Sequence, residues 1–188
     1  MDSASGPRVD PILDIVVEML DTEGYEAVQL REVARRARVS LATIYKRYPT
    51  RDELIVAALE GWMDANRYAG LPSLIDDLPG DSIYVDLMHV MRTIFEPWEQ
   101  HPLMLRSYFQ ARSGPGGKRL IQRGVDAVVP VAKAILAQAD PGFAKDLELI
   151  LPGVVFGFLT RFAQGEIDVT EIVPGIERTV FWLTAAQG

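Results

Sequence analysis

Cysteine is absent from this chain of 188 residues. Disulfides, thiolate metal sites and cysteine nucleophiles are therefore excluded. Histidine occurs only twice, and no nucleophile–base spacing is present, so an enzyme on this scaffold would have to work with carboxylates alone. No catalytic residue is assigned, no cofactor is expected, and the reading is that the protein is not an enzyme. No apolar run approaches the length of a membrane span. No segment carries a clear strand pattern, and there is no internal repeat. The first nine residues are small, polar and proline-bearing. They lack the apolar core of a signal peptide and read as a disordered N-terminal arm, so a cytoplasmic location with no membrane partner is expected.

Positive charge is scarce overall and concentrated in one place. The chain has a formal charge of −7, from 19 basic and 26 acidic residues. Residues 29–51 nevertheless hold Arg31, Arg35, Arg36, Arg38, Lys46, Arg47 and Arg51 against one acid, Glu32. A short basic island in an acidic protein points to one localized polyanion contact. A charge run is often only a solvated face. Here it interleaves with apolar positions at helical spacing, which favours nucleic acid.

That spacing predicts short helices. Asp10 can cap a first helix and Pro11 suits its first position. Ile12, Val16 and Leu20 recur every four residues, and Gly24 fits just past the end, where a positive φ is needed. Tyr25 is expected to pack back onto the small core. A second helix is predicted over residues 30–37, with Leu30, Val33, Ala34 and Ala37 on one face. Val39 and Ser40 form a turn, with Ser40 capping a third helix over residues 41–48. Ile44 and Tyr48 point inward, which leaves Thr43, Lys46 and Arg47 away from the seam. Pro49 ends this helix. Thr50 and Glu53 then form a capping box for a long fourth helix, striped by Leu54, Ala58 and Trp62 beside Ile55, Leu59 and Met63.

Residues 69–82, with two prolines and two glycines, read as loop or broken helix. Helical patterns return over about 83–99, 102–112, 117–138, 143–166 and 170–186. Residues 113–117 are a firm break. Pro97, Pro130 and Pro152 are expected to kink or break their helices.

The segments ILDIVVEMLDTEGYEAV, LREVARRARVS and LATIYKRYPTRDELIVAALE, within residues 12–60, resemble the TetR family of bacterial transcriptional regulators. The likeness rests on Gly24-Tyr25, Val33-Ala34, Val39-Ser40, Thr43-Ile44-Tyr45 and the Leu54 helix, and covers about the first third of the chain. The wording Val28-Gln29-Leu30-Arg31 is similar to a branch that controls sterol and lipid catabolism in actinobacteria. The resemblance implies an all-α fold: an N-terminal helix-turn-helix three-helix DNA-binding module joined by a long helix to a C-terminal helical ligand-binding and dimerization domain. The domains are then a disordered arm over 1–9, a DNA-binding domain over 10–53, and an effector-binding and dimerization domain over 54–188. The family implies a homodimer that binds a near-palindromic double-stranded DNA operator as a repressor and is released by a small-molecule effector, taken to be apolar or amphipathic. Effector bound among residues 83–140 would shift the fourth helix and change the spacing of the recognition helices. Where many relatives have Gly in the helix-turn-helix turn, this chain has Arg38, a residue with no ease at positive φ. The family often has Lys where Leu41 stands, and Thr or Ser near Val28-Gln29, so the second helix is poorly capped.

In the major groove, the N-terminal residues of the third helix would meet base edges. These are Leu41, Ala42 and Thr43, whose short or apolar side chains favour thymine methyls over a bidentate guanine contact. Tyr45, Lys46 and Arg47 suit phosphates. Arg31 and Arg51 each begin a helix, where a positive charge opposes the helix dipole, and a nearby phosphate would relieve that conflict. Gln29 and Arg38 complete the candidate DNA-binding set. One of Arg35 and Arg36 is expected to pair with Glu32 instead.

The candidate effector residues are Met88, His89, Met91, Arg92, Phe95, Trp98, Met104, Arg106, Tyr108 and Phe109. Methionines and aromatics at helical spacing are more often plain core, although methionine clusters suit adaptable cavities. His89, Arg92 and Arg106 are the polar groups that could orient a ligand, with an arginine for an anion. No metal is expected: Asp86-x-x-His89 and Glu96-x-x-Glu99-x-His101 lack the paired Glu-x-x-His motifs of a di-iron bundle, and Pro97 and Pro102 interrupt the second set. Val154, Val155, Phe158, Phe162, Ile176 and Val180 are the candidate dimer interface, on broad apolar faces that also hold Leu159, Ile172 and Phe181, with Gly153 and Gly157 allowing close helix approach. Two rival readings are a non-metal enzyme on an all-α scaffold and a protein-interaction module whose basic patch meets an acidic partner.

Overall fold

The computed structural model describes residues 10–77, 82–137 and 139–185. The N-terminal arm expected over residues 1–9 lies outside them. Regular structure among the described residues is entirely helical. No helix among them is long and apolar enough to cross a membrane.

Local signals set the first four helices. Helix α1 (Pro11–Thr22) starts where the Asp10 side chain accepts a hydrogen bond from Ile12 N at 3.1 Å, with Pro11 in its first turn. Ile12, Val16, Met19 and Leu20 form its buried face. Its end is closed by the Glu23 and Gly24 amides, which both donate to Met19 O at 2.9 Å. Gly24 has φ +84°, and a methyl on its Cα would meet only open space, so the dihedral rather than crowding calls for glycine. Helix α2 (Leu30–Arg36) buries Val33 and Ala34, and α3 (Leu41–Arg47) buries Ile44. Each is one residue shorter than its apolar pattern, because Ala37 and Tyr48 serve as caps. Ser40 caps α3 by accepting from Thr43 N at 3.0 Å. Thr50 Oγ1 accepts from Glu53 N at 3.1 Å, the forward half of the expected capping box, and α4 (Arg51–Met63) follows.

Helix α4 passes into a π-helical stretch, Asp64–Tyr68. Continuing the four-residue stripes of α4 would bury Asn66 and Arg67. Arg67 and Tyr68 are buried instead, one position later, as the extra residue in a π-helical turn requires.

Beyond it come α5 (Leu71–Asp77), α6 (Ile83–Gln100), α7 (Pro102–Arg112), α8 (Gly117–Leu136), α9 (Pro141–Ala163) and α10 (Ile172–Thr184), the last preceded by a 3-10 turn at Val169–Glu171. The stretch expected as loop or broken helix thus contains a seven-residue helix, with Pro72 in its first turn, where proline is tolerated. Pro97, Pro130 and Pro152 all lie inside helices that continue past them.

The chain divides into two compact units, one of Met1–Trp62 with Leu103–Ile121 and one of Met63–Pro102 with Gln122–Gly188. In the first, Val16, Met19, Leu20, Val33, Ile44, Leu54 and Leu59 build the core. In the second, α10 packs against both α6 and α9, around Met88, Ile94, Trp98, Phe162, Ile176 and Val180. Arg67 is buried there. Its Nε donates to Ile94 O at 2.8 Å, and its guanidinium lies 4.4 Å from the centre of the Trp98 ring.

Candidate nucleic-acid interface

The turn between α2 and α3 is a Schellman closure. Val39 N donates to Ala34 O at 3.0 Å, and Arg38 N to Arg35 O at 3.3 Å. The position just past the cap must then be left-handed, and Arg38 has φ +54°. It is the one non-glycine residue with positive φ among those described. The chain keeps the turn geometry that favours glycine and holds an arginine in it, at a cost of about 1–2 kcal/mol.

That turn sets the recognition helix. Ala42, Thr43, Tyr45, Lys46 and Arg47 are exposed, Leu41 is half-buried and Ile44 is buried. Tyr45 is 50 % exposed and carries a large aromatic group out of α3. The Thr43 hydroxyl lies 2.8 Å from Ser40 Oγ, so the cap engages it.

The seven basic residues fall into two groups. Arg35 donates to both Glu32 oxygens, and Arg36 bridges Glu32 and Glu23. Both arginines therefore pair with Glu32, where one was expected to. Hydrogen bonds from Arg35, then from Arg36, lower the Glu32 carboxyl from its ordinary value to about 2. Arg51 departs from its expected phosphate role. Its Nε donates to Val28 O and its Nη2 to Tyr25 O, each at 2.6 Å, and it stacks on the Tyr25 ring at 4.5 Å. It clamps the connection between α1 and α2, and carbonyl oxygens together with the Glu26 carboxylate, 3.6 Å from Nη2, offset its charge at the start of α4. Arg47 Nη1 contacts Asp10 at 3.0 Å.

Arg31, Arg38 and Lys46 are exposed, and within the described residues none makes a hydrogen bond or ion pair. They lie on α2, on the turn and on α3. Gln29 stands at the α2 cap without bonding its amides, and donates to Glu26 O at 3.1 Å instead.

The candidate effector residues are divided. Met88, Met91, Phe95 and Trp98 are buried in the second unit, on α6. Met104, Arg106, Tyr108 and Phe109 belong to the first unit, on α7, with Met104 buried and Arg106 exposed. His89 and Arg92 are exposed rather than turned into the α6 core, and Arg92 Nη2 donates to Glu177 Oε1 at 3.0 Å.

The interface residues proposed on α9 and α10 divide as well. Phe162 is 2 % exposed, and Ile176 and Val180 are fully buried within the single chain. They are core and are not available to a partner. Val154, Val155 and Phe158 are half-buried. On α9 and α10 the large apolar groups left in solvent are Leu149 (79 %), Ile150, Phe156, Phe181 and Trp182 (74 %). Leu149, Ile150, Phe156 and Trp182 were missed because α9 and α10 are apolar on more than one face, and periodicity alone does not say which face turns inward. A methyl at Gly153 or Gly157 would meet nothing within 4 Å, whereas one at Gly175 would lie 2.3 Å from the Phe158 ring. Gly175 is thus the glycine that lets α10 approach α9 inside the chain.

An exposed short helix behind a left-handed turn, in an all-helical chain with unpaired cations beside it, defines the class of helix-turn-helix regulators. A family model described as "Bacterial regulatory proteins, tetR family" matches residues 12–58, and one described as "Tetracyclin repressor-like, C-terminal domain" matches residues 80–183. The chain belongs to the TetR family of transcriptional regulators. It is 29 % identical over 109 residues to the HTH-type transcriptional repressor KstR of Rhodococcus jostii (strain RHA1), covering 58 % of this chain and 49 % of that protein. It is 46 % identical over 56 residues to the KstR repressor of Mycolicibacterium smegmatis, covering 30 % and 28 %. The matched stretches therefore span about half, or less, of these relatives. A TetR transcriptional regulator from Rhodococcus sp. RHA1 shares the fold, with a TM-score of 0.64 at 18 % identity over 95 % of this chain and 94 % of that one.

Proposed function

We propose that this TetR-family regulator is a repressor that binds a palindromic double-stranded DNA operator as a homodimer and leaves it when a small apolar or amphipathic effector binds. The observation that carries the DNA reading is the group of unpaired cations, Arg31, Arg38 and Lys46, around the exposed face of α3. Polyanion binding draws on charges that the protein has not already neutralised. Lys46, Arg38, Arg31 and the free edge of Arg47 grip phosphates, with Tyr45 and Gln29 beside them. Leu41, Ala42 and Thr43 read bases, chiefly by methyl contact. With Arg51 engaged inside the chain, its part is to hold α4 and the α1–α2 connection in place.

The homodimer uses the apolar groups that the single chain leaves outside. Leu149, Phe156, Phe181 and Trp182 form its centre, joined by the half-buried Val154, Val155 and Phe158. Trp and Phe are enriched at the cores of such interfaces. Twofold symmetry of the protein then matches a palindromic site. The effector is taken by the second unit, where α6 supplies Met88, Met91, Phe95 and Trp98. Flexible methionines beside aromatics suit an adaptable apolar site.

The test is selection of bound sequences from a random duplex pool with the purified protein. A palindromic motif, bound far more tightly than random DNA and weakened steeply by salt, is the expected result. Equal affinity for random and selected DNA would sink the reading and favour the interaction module.

A further inference from the structure

One carboxylate ties the start of α1 to the end of the recognition helix. Asp10 Oδ1 accepts from Ile12 N at 3.1 Å, which is its capping bond. Arg47 Nη1 donates to both Asp10 oxygens at 3.0 Å, and the Tyr48 hydroxyl donates to Oδ2 at 2.8 Å. These partners lie 37 and 38 residues away along the chain. Burial, then the bond to Asp10, pushes the Tyr48 phenol up to about 12, so it stays a donor at any ordinary pH.

Arg47 commits only Nη1 to this contact. Within the described residues, its Nε and Nη2 have no partner. That edge is the fork whose spacing matches two phosphate oxygens. Its side chain is 54 % exposed while that of Asp10 is 19 % exposed, so the carboxylate is the anchored member of the pair.

We propose that Asp10 is a positioning residue for DNA binding. It holds Arg47 by one nitrogen and the end of α3 through Tyr48, leaving the Nε–Nη2 edge of Arg47 oriented and free for a backbone phosphate. This rests on the reading that the helix-turn-helix binds DNA. Simple electrostatics gives the opposite sign: deleting an acid beside a polyanion should tighten the complex. Positioning makes the same deletion weaken it.

The experiment measures affinity of the full-length protein for its selected operator duplex over a salt series, with thermal unfolding of each variant alongside. The variants are Asp10→Asn, Asp10→Ala, Arg47→Ala and the double Asp10→Ala/Arg47→Ala. Asp10→Ala is expected to weaken binding about tenfold, the loss of one charge-assisted contact. Asp10→Asn, which keeps an acceptor for Tyr48 and for the cap, falls between it and wild type. In the Arg47→Ala background, Asp10→Ala costs no more than about twofold, because the two act as a unit. Binding by Asp10→Asn or Asp10→Ala that equals or exceeds wild type overturns the proposal. So does an equal loss from Asp10→Ala in both backgrounds, which marks a purely structural cap. If Asp10→Ala is unfolded at the assay temperature, Asp10→Asn with and without Arg47→Ala decides by the same criteria. Wild-type protein that prefers no duplex overturns the DNA reading itself, a result distinct from an Asp10 variant that matches wild type.

Discussion

Charge crowds the surface of α2 and α3, whereas α9 and α10 leave large apolar side chains in solvent. In the first region, Arg35, Arg36, Arg47 and Arg51 all have partners inside the chain. In the second, Phe162, Ile176 and Val180 are sealed inside while Leu149 and Trp182 are left outside. Both surfaces are rich in one residue type, and in both the fold has already used part of the supply. What remains, three whole cations and one arginine edge in the first region and a few large apolar groups in the second, is the material with which the protein can meet something else.

The sharpest way to break this comparison lies on α9 and α10. Phe162→Ala should cost about 3–5 kcal/mol of stability, because a buried aromatic leaves a cavity. Trp182→Ala should leave the monomer's stability within about 1 kcal/mol, since surface changes are usually small. It should instead shift the species seen by sedimentation from dimer toward monomer. Equal destabilisation by the two substitutions would erase the distinction between inner and outer groups. Next in size is the contrast between Lys46 and Arg35. Lys46→Ala should weaken binding to all duplexes and reduce the salt slope by about 0.9, while Arg35→Ala should leave that slope alone. A reduced slope for Arg35→Ala would show that its bond to Glu32 is given up on DNA.

Smaller still is the effect at the turn. Arg38→Gly should stabilise the fold by about 1 kcal/mol, read as a rise of a few degrees in melting temperature, while lowering affinity for the operator. A stabilised variant with unchanged affinity would remove Arg38 from the contact. The smallest effect is on the acid side. Glu32 has a folded pKa of about 2 against an ordinary 4.5, so its contribution is fully present above pH 4.5 and is lost as pH falls through about 2. Urea midpoints of wild type and Glu32→Gln should therefore differ most near neutral pH and converge toward pH 2. The gap should also shrink with salt, because the pair is exposed.

The helices of the DNA-binding segment were legible because their signals are local. Asp10, Ser40 and Thr50 cap, Gly24 stops, and the apolar stripe of each helix is narrow enough to define one face. Even the departure at Arg38 was visible, since the turn type demands positive φ whatever residue occupies it. Partner choice was not legible. Arg47 and Asp10 are far apart in sequence, and nothing near Arg51 says that its guanidinium will bind the carbonyls of Tyr25 and Val28. The π-helical turn after α4 left no mark beyond a stripe that slips by one residue. On α9, apolar residues occupy most of the circumference, so the choice of inner face falls to packing against α10, which Gly175 permits by lacking a side chain beside Phe158.

The bond between Thr43 and Ser40 reaches as far as the chemistry of the operator. With its hydroxyl bonded to the cap, Thr43 carries a methyl beside it, as Ala42 does, and Leu41 offers a longer apolar chain. On the proposed reading, a first turn of this kind would sense the C5 position of pyrimidines more than their hydrogen-bonding edges. Such an operator can be weakened without altering a base pair, by exchanging thymine for uracil, and strengthened at a cytosine by adding a C5 methyl. A regulator that reads in this way is, in principle, responsive to the covalent state of its DNA as well as to its sequence.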